Sequence, residues 1–326
     1  MDQLLSKAAD AITGASSVAI ACHVNPDADA LGSTLGLSNH LRERGIDTVC
    51  SFPNEPFVPP RWVELLPGAD ALVPPSGFPS SPPLMVTCDV ASMDRLAMLG
   101  GPAVRSKTLI WIDHHVSNTG VGTIPLIDPA ASSTAEIVFR LVRTIGGELS
   151  DATAACLYAG VVTDTGRFQY QAVRPETLRL GAELRERGFD HARLVRALYE
   201  DNGTPYLRLM GVALQRISLD EEADLVWTYL MQNDLAEAGV DPSEADDLID
   251  TVRTAREADV AAVIKQQRDG RFKVSLRSRG GHDVSAVAQR FGGGGHKLAA
   301  GYSTKQGLAG ALEQLKAALA EHVVEP

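Results

Sequence analysis

The stretch Ser17-Val18-Ala19-Ile20-Ala21-Cys22-His23-Val24-Asn25-Pro26-Asp27-Ala28-Asp29 runs from a short apolar segment straight into one imidazole and two carboxylates. Residues 17–24 are partly β-branched and predict a strand; an amphipathic pattern over 32–44, closed by Gly45, predicts the helix that follows, and 46–52 the next strand. Two further near-continuous apolar runs, 84–90 and 108–112, are separated by helical segments, the pattern of a parallel sheet buried on both faces. The expected fold class is therefore α/β, with a parallel doubly wound sheet, followed by a smaller mixed α/β domain.

A chain of 326 residues exceeds one ordinary domain and suits two. Ten of the 18 prolines fall between Pro53 and Pro83, which reads as a loop-rich surface connection around a short helix near Trp62. Helical patterns follow at 133–145, 152–162, 176–187 and 191–200, and Asp201-Asn202-Gly203-Thr204-Pro205 breaks them. A helix over 206–216 then leads to alternating segments at 225–230, 260–266 and 272–277 around a helix near 245–255. The division expected is a first domain over 1–202, a connection over 203–217 and a second domain over 218–326.

With 44% hydrophobic and 22% charged residues, the composition excludes disordered, collagen-like and coiled-coil classes. No apolar run approaches the ~18 residues of a membrane helix, and Met1-Asp2-Gln3-Leu4-Leu5 lacks the basic start of a secretion signal, so no membrane partner and a cytoplasmic location are expected. Cys22, Cys50, Cys88 and Cys156 are too scattered for a zinc ribbon and read as reduced core thiols. A net charge of −11 argues against capture of long duplex nucleic acid. Between Lys265 and Lys305, however, nine Lys/Arg face only Asp269 and Asp283, a local +7 that would draw an anion to the C-terminal part.

Chemistry concentrates at segment ends. His23, Asp27 and Asp29 follow the first strand, Asp89 follows the run 84–88, Asp113-His114-His115 follow 108–112, and Asp164 closes the apolar segment 159–163. Asn25, Asp27 and Asp29 also read as an Asx turn and helix N-cap, Asp89 as a helix cap and His114 as a buried ring. Adjacent carboxylates repel unless a proton, a hydrogen bond or a cation relieves them. Four such ends together supply hard and borderline ligands without thiolates, which suits Mn²⁺ or Mg²⁺ in a two-metal site with ions ~3.5–4 Å apart. Near the C-terminus, Gly292-Gly293-Gly294-Gly295-His296-Lys297 either forms a flexible turn or lets backbone N–H groups approach a phosphate closely, with Arg277 offering a planar fork.

His23-x-Asn25-Pro26-Asp27-x-Asp29, Asp89, Asp113-His114-His115 and Asp164-Thr165-Gly166-x-Phe168 resemble, in order, the four motifs of the DHH phosphoesterases. The glycine run with His296, Lys297, Ala299, Ala300 and Gly301 resembles the signature of the accessory DHHA1 domain, and the two-domain length resembles the nanoRNase and pAp-phosphatase group, with its actinobacterial cyclic-di-AMP relatives. The resemblance implies that His23 and Asp27 hold one Mn²⁺, that Asp29, His114 and Asp164 hold another, and that Asp89 bridges both; Mg²⁺, Co²⁺ or Fe²⁺ fits the same ligands. It implies that Asp113 orients a ligating histidine, that Asn25 plays a similar supporting part, and that His115 contacts the scissile phosphate or protonates the leaving oxygen.

Arg277, Gly293, Gly294, Gly295, His296 and Lys297 are the expected substrate-binding residues, with the active site in a cleft between the domains. Expected substrates are short RNA oligonucleotides, dinucleotides such as pApA, and phosphorylated nucleotides such as 3′-phosphoadenosine 5′-phosphate; a homodimer is implied by the relatives. A RecJ-like single-strand exonuclease and a non-hydrolytic nucleotide sensor are the alternatives.

Overall fold

The computed structural model describes residues 1–118 and 120–322. The chain divides between Asp201 and Asn202 into two compact units.

The first unit is built on five parallel strands, β1 (Ser17–Cys22), β2 (Asp47–Ser51), β3 (Leu84–Cys88), β4 (Thr108–Asp113) and β5 (Ile124–Ile127), in the order β2-β1-β3-β4-β5. The short β5 was not evident from the sequence; it contains Pro125, and proline is accepted on an edge strand because its missing N–H removes no inner ladder bond. Its helices are α1 (Asp2–Thr13), α2 (Ala28–Arg42), α3 (Gly100–Arg105), α4 (Thr134–Ile145), α5 (Asp151–Asp164), α6 (Pro175–Arg185) and α7 (His191–Tyr199).

Strand alternation sorts the core into two layers. Val18, Ile20, Val86, Ile110 and Ile112 pack with Ile12, Leu35, Leu141 and Leu157 from α1, α2, α4 and α5. Ala19, Ala21, Met85, Leu109 and Trp111 pack instead with Phe78, Leu96, Leu99 and Ala103. This second layer is thin, formed by 3-10 turns and the six-residue α3, so the sheet carries its long helices on one face. Each large apolar side chain so buried contributes roughly 1.5–3 kcal/mol, and Trp111 keeps its Nε1–H satisfied by donating to the Val90 carbonyl at 2.7 Å.

α2 begins at Ala28, four residues earlier than the periodicity predicts, because Asp27 caps it: Oδ1 accepts from the N–H groups of Asp29 and Ala30 at 3.1 and 3.0 Å. α2 and α5 lie in close contact, and α5 is buried along Ala154, Cys156, Leu157, Ala159 and Val161. Glycine at 160 permits this approach, since a Cβ there would meet Asp29 Oδ1 at 2.6 Å and Ala135 Cβ at 2.8 Å. All four cysteines are buried and free. Among the described residues no helix is long and apolar enough to cross a membrane.

The second unit begins with α8 (Thr204–Gln215) and holds a six-stranded mixed sheet: β6 (Ser218–Asp220), β7 (Leu225–Leu230), β8 (Val260–Gln266), β9 (Phe272–Ser278), β10 (Gly294–His296) and β11 (Ala299–Thr304), in the order β10-β11-β9-β8-β7-β6. Only β7 and β8 pair in parallel. α9 (Gln232–Ala238) and α10 (Leu248–Val252) pack on the face of Val226, Ala261 and Val263, while α11 (Val284–Arg290) and α12 (Leu308–Leu319) cover Leu225, Ala262, Val274 and Leu276. The helix expected near 245–255 shrinks to five residues behind a 3-10 turn at Pro242–Ala245.

Candidate metal centre

In a parallel sheet ordered β2-β1-β3, the chain leaves β1 on one side toward β2 and later returns on the other side as β3. The crevice at the carboxyl ends of β1 and β3 is where such sheets bind ligands. His23 is the first residue after β1 and Asp89 the first after β3; Asp113 ends β4, and His114 and His115 follow it. Asp89 has φ 60° and Asn25 φ 54°, left-handed conformations that concentrate at functional sites in non-glycine residues. The Asp89 N–H donates to the Ile112 carbonyl at 2.9 Å, which anchors the turn against β4.

The side chains converge on Asp89, which is almost wholly buried. His23 Nε2 lies 3.4 Å from Asp89 Oδ2 and 3.8 Å from Asp27 Oδ2, while His114 Nε2 lies 3.8 Å from Asp89 Oδ1 and 3.2 Å from Asp164 Oδ2. Ligand atoms of His23, Asp27 and Asp89 lie within 4.8 Å of one another, as do those of Asp29, Asp89 and His114, and those of Asp89, Asp113 and His115. The Asp27 carboxylate serves two ends at once: Oδ1 caps α2 and Oδ2 faces His23. The turn-and-cap reading and the ligand reading of that residue are therefore compatible.

The electrostatics test whether cations fit. Burial pushes the Asp29 carboxyl well above the usual carboxylate range, and the neighbouring charges of Asp89 and Asp164 push it further. Burial and the Asp89 and Asp27 charges do the same to Asp164. Asp89 goes the other way: burial raises it, but the hydrogen bond from His23 and the charges of His115, His23 and His114 hold it well below the usual range. His23 is raised to about 10, since Asp27 and Asp89 outweigh the opposing effect of burial. Crowded, buried carboxylates that resist ionisation, interleaved with imidazoles, form a donor set suited to divalent cations of the Mn²⁺ and Mg²⁺ type.

Outer partners fix these groups. His23 Nδ1 lies 2.9 Å from the Val24 carbonyl and 3.0 Å from Arg95 Nη2, contacts that hold the ring with Nε2 facing Asp89 and Asp27. Asp29 accepts from the N–H groups of Thr134 and Ala135, at 2.7 and 2.9 Å, at the N-terminus of α4. The Thr134 hydroxyl donates to Asp89 Oδ1 at 2.9 Å. Asp113 orients His115: its Oδ1 lies 2.7 Å from His115 Nδ1, and its Oδ2 accepts from Asn118 Nδ2 at 2.6 Å. His115 is raised to about 9, because Asp113 and then Asp89 outweigh burial.

Asn25 is exposed and exchanges two hydrogen bonds with Asn54, at 2.7 and 2.6 Å. These bonds tie the loop after β1 to the segment after β2. Thr134, Arg95 and Asn118 carry no motif in the sequence: Ser132-Ser133-Thr134 reads there only as a helix start, Arg95 lies in the 3-10 segment Met93–Leu99 and Asn118 in a loop.

In the second unit, Arg277 pairs with Ala299 and Ala299 with His296, so Arg277 and His296 share one row and one face, about 10 Å apart across two strand spacings. Gly294, Gly301 and Ser275 form the next row on that face, and a Cβ at 294 would meet nothing within 4 Å. Half of the glycine run, Gly294 and Gly295, is paired strand, while Gly292 stays in the turn before it at φ 75°. Gly295, at φ 138°, would drive a Cβ into the Ala299 carbonyl, and a Cβ at Gly293 would meet the Gly301 carbonyl. Lys297 is exposed in the turn between β10 and β11.

The +7 stretch is largely neutralised by partners outside it. Lys265 and Lys273 share Asp246, Arg268 pairs with Asp241, Arg277 Nε lies 3.3 Å from Asp250 Oδ1, and Arg290 pairs with Glu321. The general attraction of anions expected from the sequence count is correspondingly reduced.

A five-stranded parallel unit with paired His/Asp groups at its switch point, joined to a mixed-sheet unit bearing a glycine-rich strand, defines a class of two-unit phosphoester hydrolases. The family model for the DHH family, N-terminal domain, matches residues 17–161, and that for the DHHA1 domain matches residues 224–325. The bifunctional oligoribonuclease and PAP phosphatase NrnA of Thermus thermophilus is 33% identical over 93% of this chain and 88% of its own length. A crystal structure of an exopolyphosphatase-related protein from Bacteroides fragilis has a TM-score of 0.90 at 24% identity, covering 98% of this chain and 96% of that one. RecJ of Thermus thermophilus in complex with Mn²⁺ has a TM-score of 0.56 at 16% identity, covering 99% of this chain and 56% of that one. The chain belongs to the DHH phosphoesterases, in the branch that carries a DHHA1 domain.

Proposed function

We propose that the protein hydrolyses dinucleotides and short oligoribonucleotides to mononucleotides, and 3′-phosphoadenosine 5′-phosphate to AMP, with two divalent cations, Mn²⁺ foremost. The observation that carries this reading is the carboxylate of Asp89, whose Oδ2 faces His23 and whose Oδ1 faces His114. His23 and Asp27 would hold one ion, Asp29, His114 and Asp164 the other, and Asp89 both. Such ions supply a nucleophile from water and neutralise the phosphate charge.

The chain's own groups supply the rest. The Asp113 carboxylate holds His115 by Nδ1, and Nε2 would donate to a phosphate oxygen or to the leaving oxygen. Arg277, His296 and Lys297, beside the open backbone of Gly294, bind a phosphate of the substrate; Gly293 and Gly295 let that strand form. Two observations support short substrates: the NrnA relative is named an oligoribonuclease and PAP phosphatase, and the paired cations of the second unit leave no long electrostatic track for a polymer.

The test is product analysis of the manganese-loaded protein on pApA, 3′-phosphoadenosine 5′-phosphate and a graded RNA ladder. The expected result is rates falling with length beyond a few nucleotides. Equal or faster cleavage of long single strands would overturn the preference for short substrates.

A further inference from the structure

We propose that Thr134 is a positioning residue that couples the two cation positions, by fixing a shared carboxylate and an unshared one from a single point. The proposal rests on the metal reading above and goes beyond it to a residue outside the ligand set. Thr134 is fully buried at the first position of α4. Its N–H donates to Asp29 Oδ2 at 2.7 Å, and its hydroxyl donates to Asp89 Oδ1 at 2.9 Å.

The physics lies in the softest torsion of an aspartate. The carboxylate rotates about its terminal bond in a broad, roughly two-fold well. Asp89 must nevertheless keep Oδ2 toward His23, at 3.4 Å, and Oδ1 toward His114, at 3.8 Å, if each oxygen is to serve a different group. One directed hydrogen bond to Oδ1 removes that freedom. The donor is itself stiff, since a β-branched side chain at a helix start has few rotamers. The same residue's backbone, with Ala135, holds Asp29, which belongs to the second ligand group with Asp89 and His114. The α4 terminus thus sets the placement of Asp89 relative to Asp29.

α4 is in turn braced at that end. Glu136 Oε2 accepts from the N–H and hydroxyl of Ser132 at 3.0 and 2.8 Å, and Oε1 accepts from Arg174 at 2.7 Å. A threonine placed there by packing alone would need neither bond to the carboxylates.

The test compares wild type, Thr134→Val and Thr134→Ser by Mn²⁺ titration calorimetry and by electron paramagnetic resonance of the loaded proteins. Valine keeps the shape and the backbone N–H but loses the hydroxyl; Thr134→Ala makes the same comparison if valine does not fold. The expected result is two ions per wild-type chain with an exchange-coupled spectrum, a second ion bound about tenfold more weakly by the valine variant with the isolated-ion spectrum growing in, and recovery in the serine variant. Wild-type constants and an unchanged spectrum in Thr134→Val, or a serine variant as impaired as valine, would overturn the role of Thr134. A wild-type protein that takes up no pair of ions would overturn the metal reading itself and this role with it.

Discussion

Two regions of the molecule concentrate charge, and they handle it in opposite ways. At Asp246, two ammonium groups from β8 and β9 close on one carboxylate. Burial raises that carboxyl, but Lys265 and Lys273 outweigh it and hold Asp246 below the usual range. At the β1 and β3 tips, carboxylates crowd one another, and Asp29 and Asp164 are driven far above it. The first region spends its charges on structure. The second holds negative charge that the chain alone leaves under-compensated, which is the condition for binding cations.

The strongest way to break this contrast is at Asp89. Asp89→Asn keeps the shape and the Thr134 acceptor but weakens both ligand groups at once, so hydrolysis of pApA should fall by about 10³-fold, the several kcal/mol that metal ions supply to a phosphoryl transition state. Metal content measured on the same sample should fall with it. Retention of both ions and of activity would remove the basis for treating the cluster as a cation site.

Asp246→Asn probes the other region and should cost stability, not chemistry. Lys265 is almost fully buried, and losing its partner leaves a buried ammonium. The loss should be about 2 kcal/mol in urea unfolding at pH 7, below the usual figure for fully buried pairs, because the Asp246 side chain is 41% exposed and water screens it. The sign with pH follows from the depressed carboxyl. Its contribution is present above the ordinary value of about 4 and is lost as pH falls through the folded-state value. Wild-type and variant unfolding midpoints should therefore converge in acid.

Much of this was legible in the chain, and for identifiable reasons. Strands that end in His23, Asp89 and Asp113 announce themselves because the apolar run and the ligand are adjacent in sequence. The helical periodicity starts four residues after α2 itself does, because Asp27 and Asp29 look polar and loop-like until the cap and the buried contact with Gly160 are seen. Thr134 carries no local signal, since its two carboxylate partners lie 105 and 45 residues away. The charge of the 265–305 stretch misled for the same reason: Asp241, Asp246, Asp250 and Glu321, which neutralise it, all lie outside the stretch.

Arg277 lies between the two regimes: Asp250 faces Nε at 3.3 Å and the Leu276 carbonyl accepts from Nη1 at 3.1 Å, so its own chain holds part of the fork that we assign to the substrate phosphate. Arg277→Lys keeps the charge and loses the planar geometry. KM for pApA should rise about tenfold with kcat little changed, the mark of binding lost equally from ground and transition states. A drop in kcat at constant KM would instead put Arg277 at the reacting phosphate.

The smallest effect sharpens the contrast most, because it changes sign. Asp164 is destabilising when ionised in the metal-free protein: its folded-state carboxyl is raised by burial and by Asp89 and Asp27, so its charge costs free energy above the ordinary pKa. Asparagine keeps an oxygen acceptor toward His114, now 3.2 Å from Oδ2, while removing the charge. In EDTA at pH 7, Asp164→Asn should melt about 2–4 °C above wild type, the shift that ~1 kcal/mol produces in a domain of this size. Saturating Mn²⁺ should stabilise wild type more than the variant, since a ligand that binds only the folded state adds stability in proportion to its affinity, and the order of melting should invert. At Asp246 no such inversion is expected, because its compensating charges are built into the chain and do not leave with the metal. A variant that melts below wild type in EDTA would show that Asp164 is already compensated, and the difference between the two regions would be one of burial and not of poised charge.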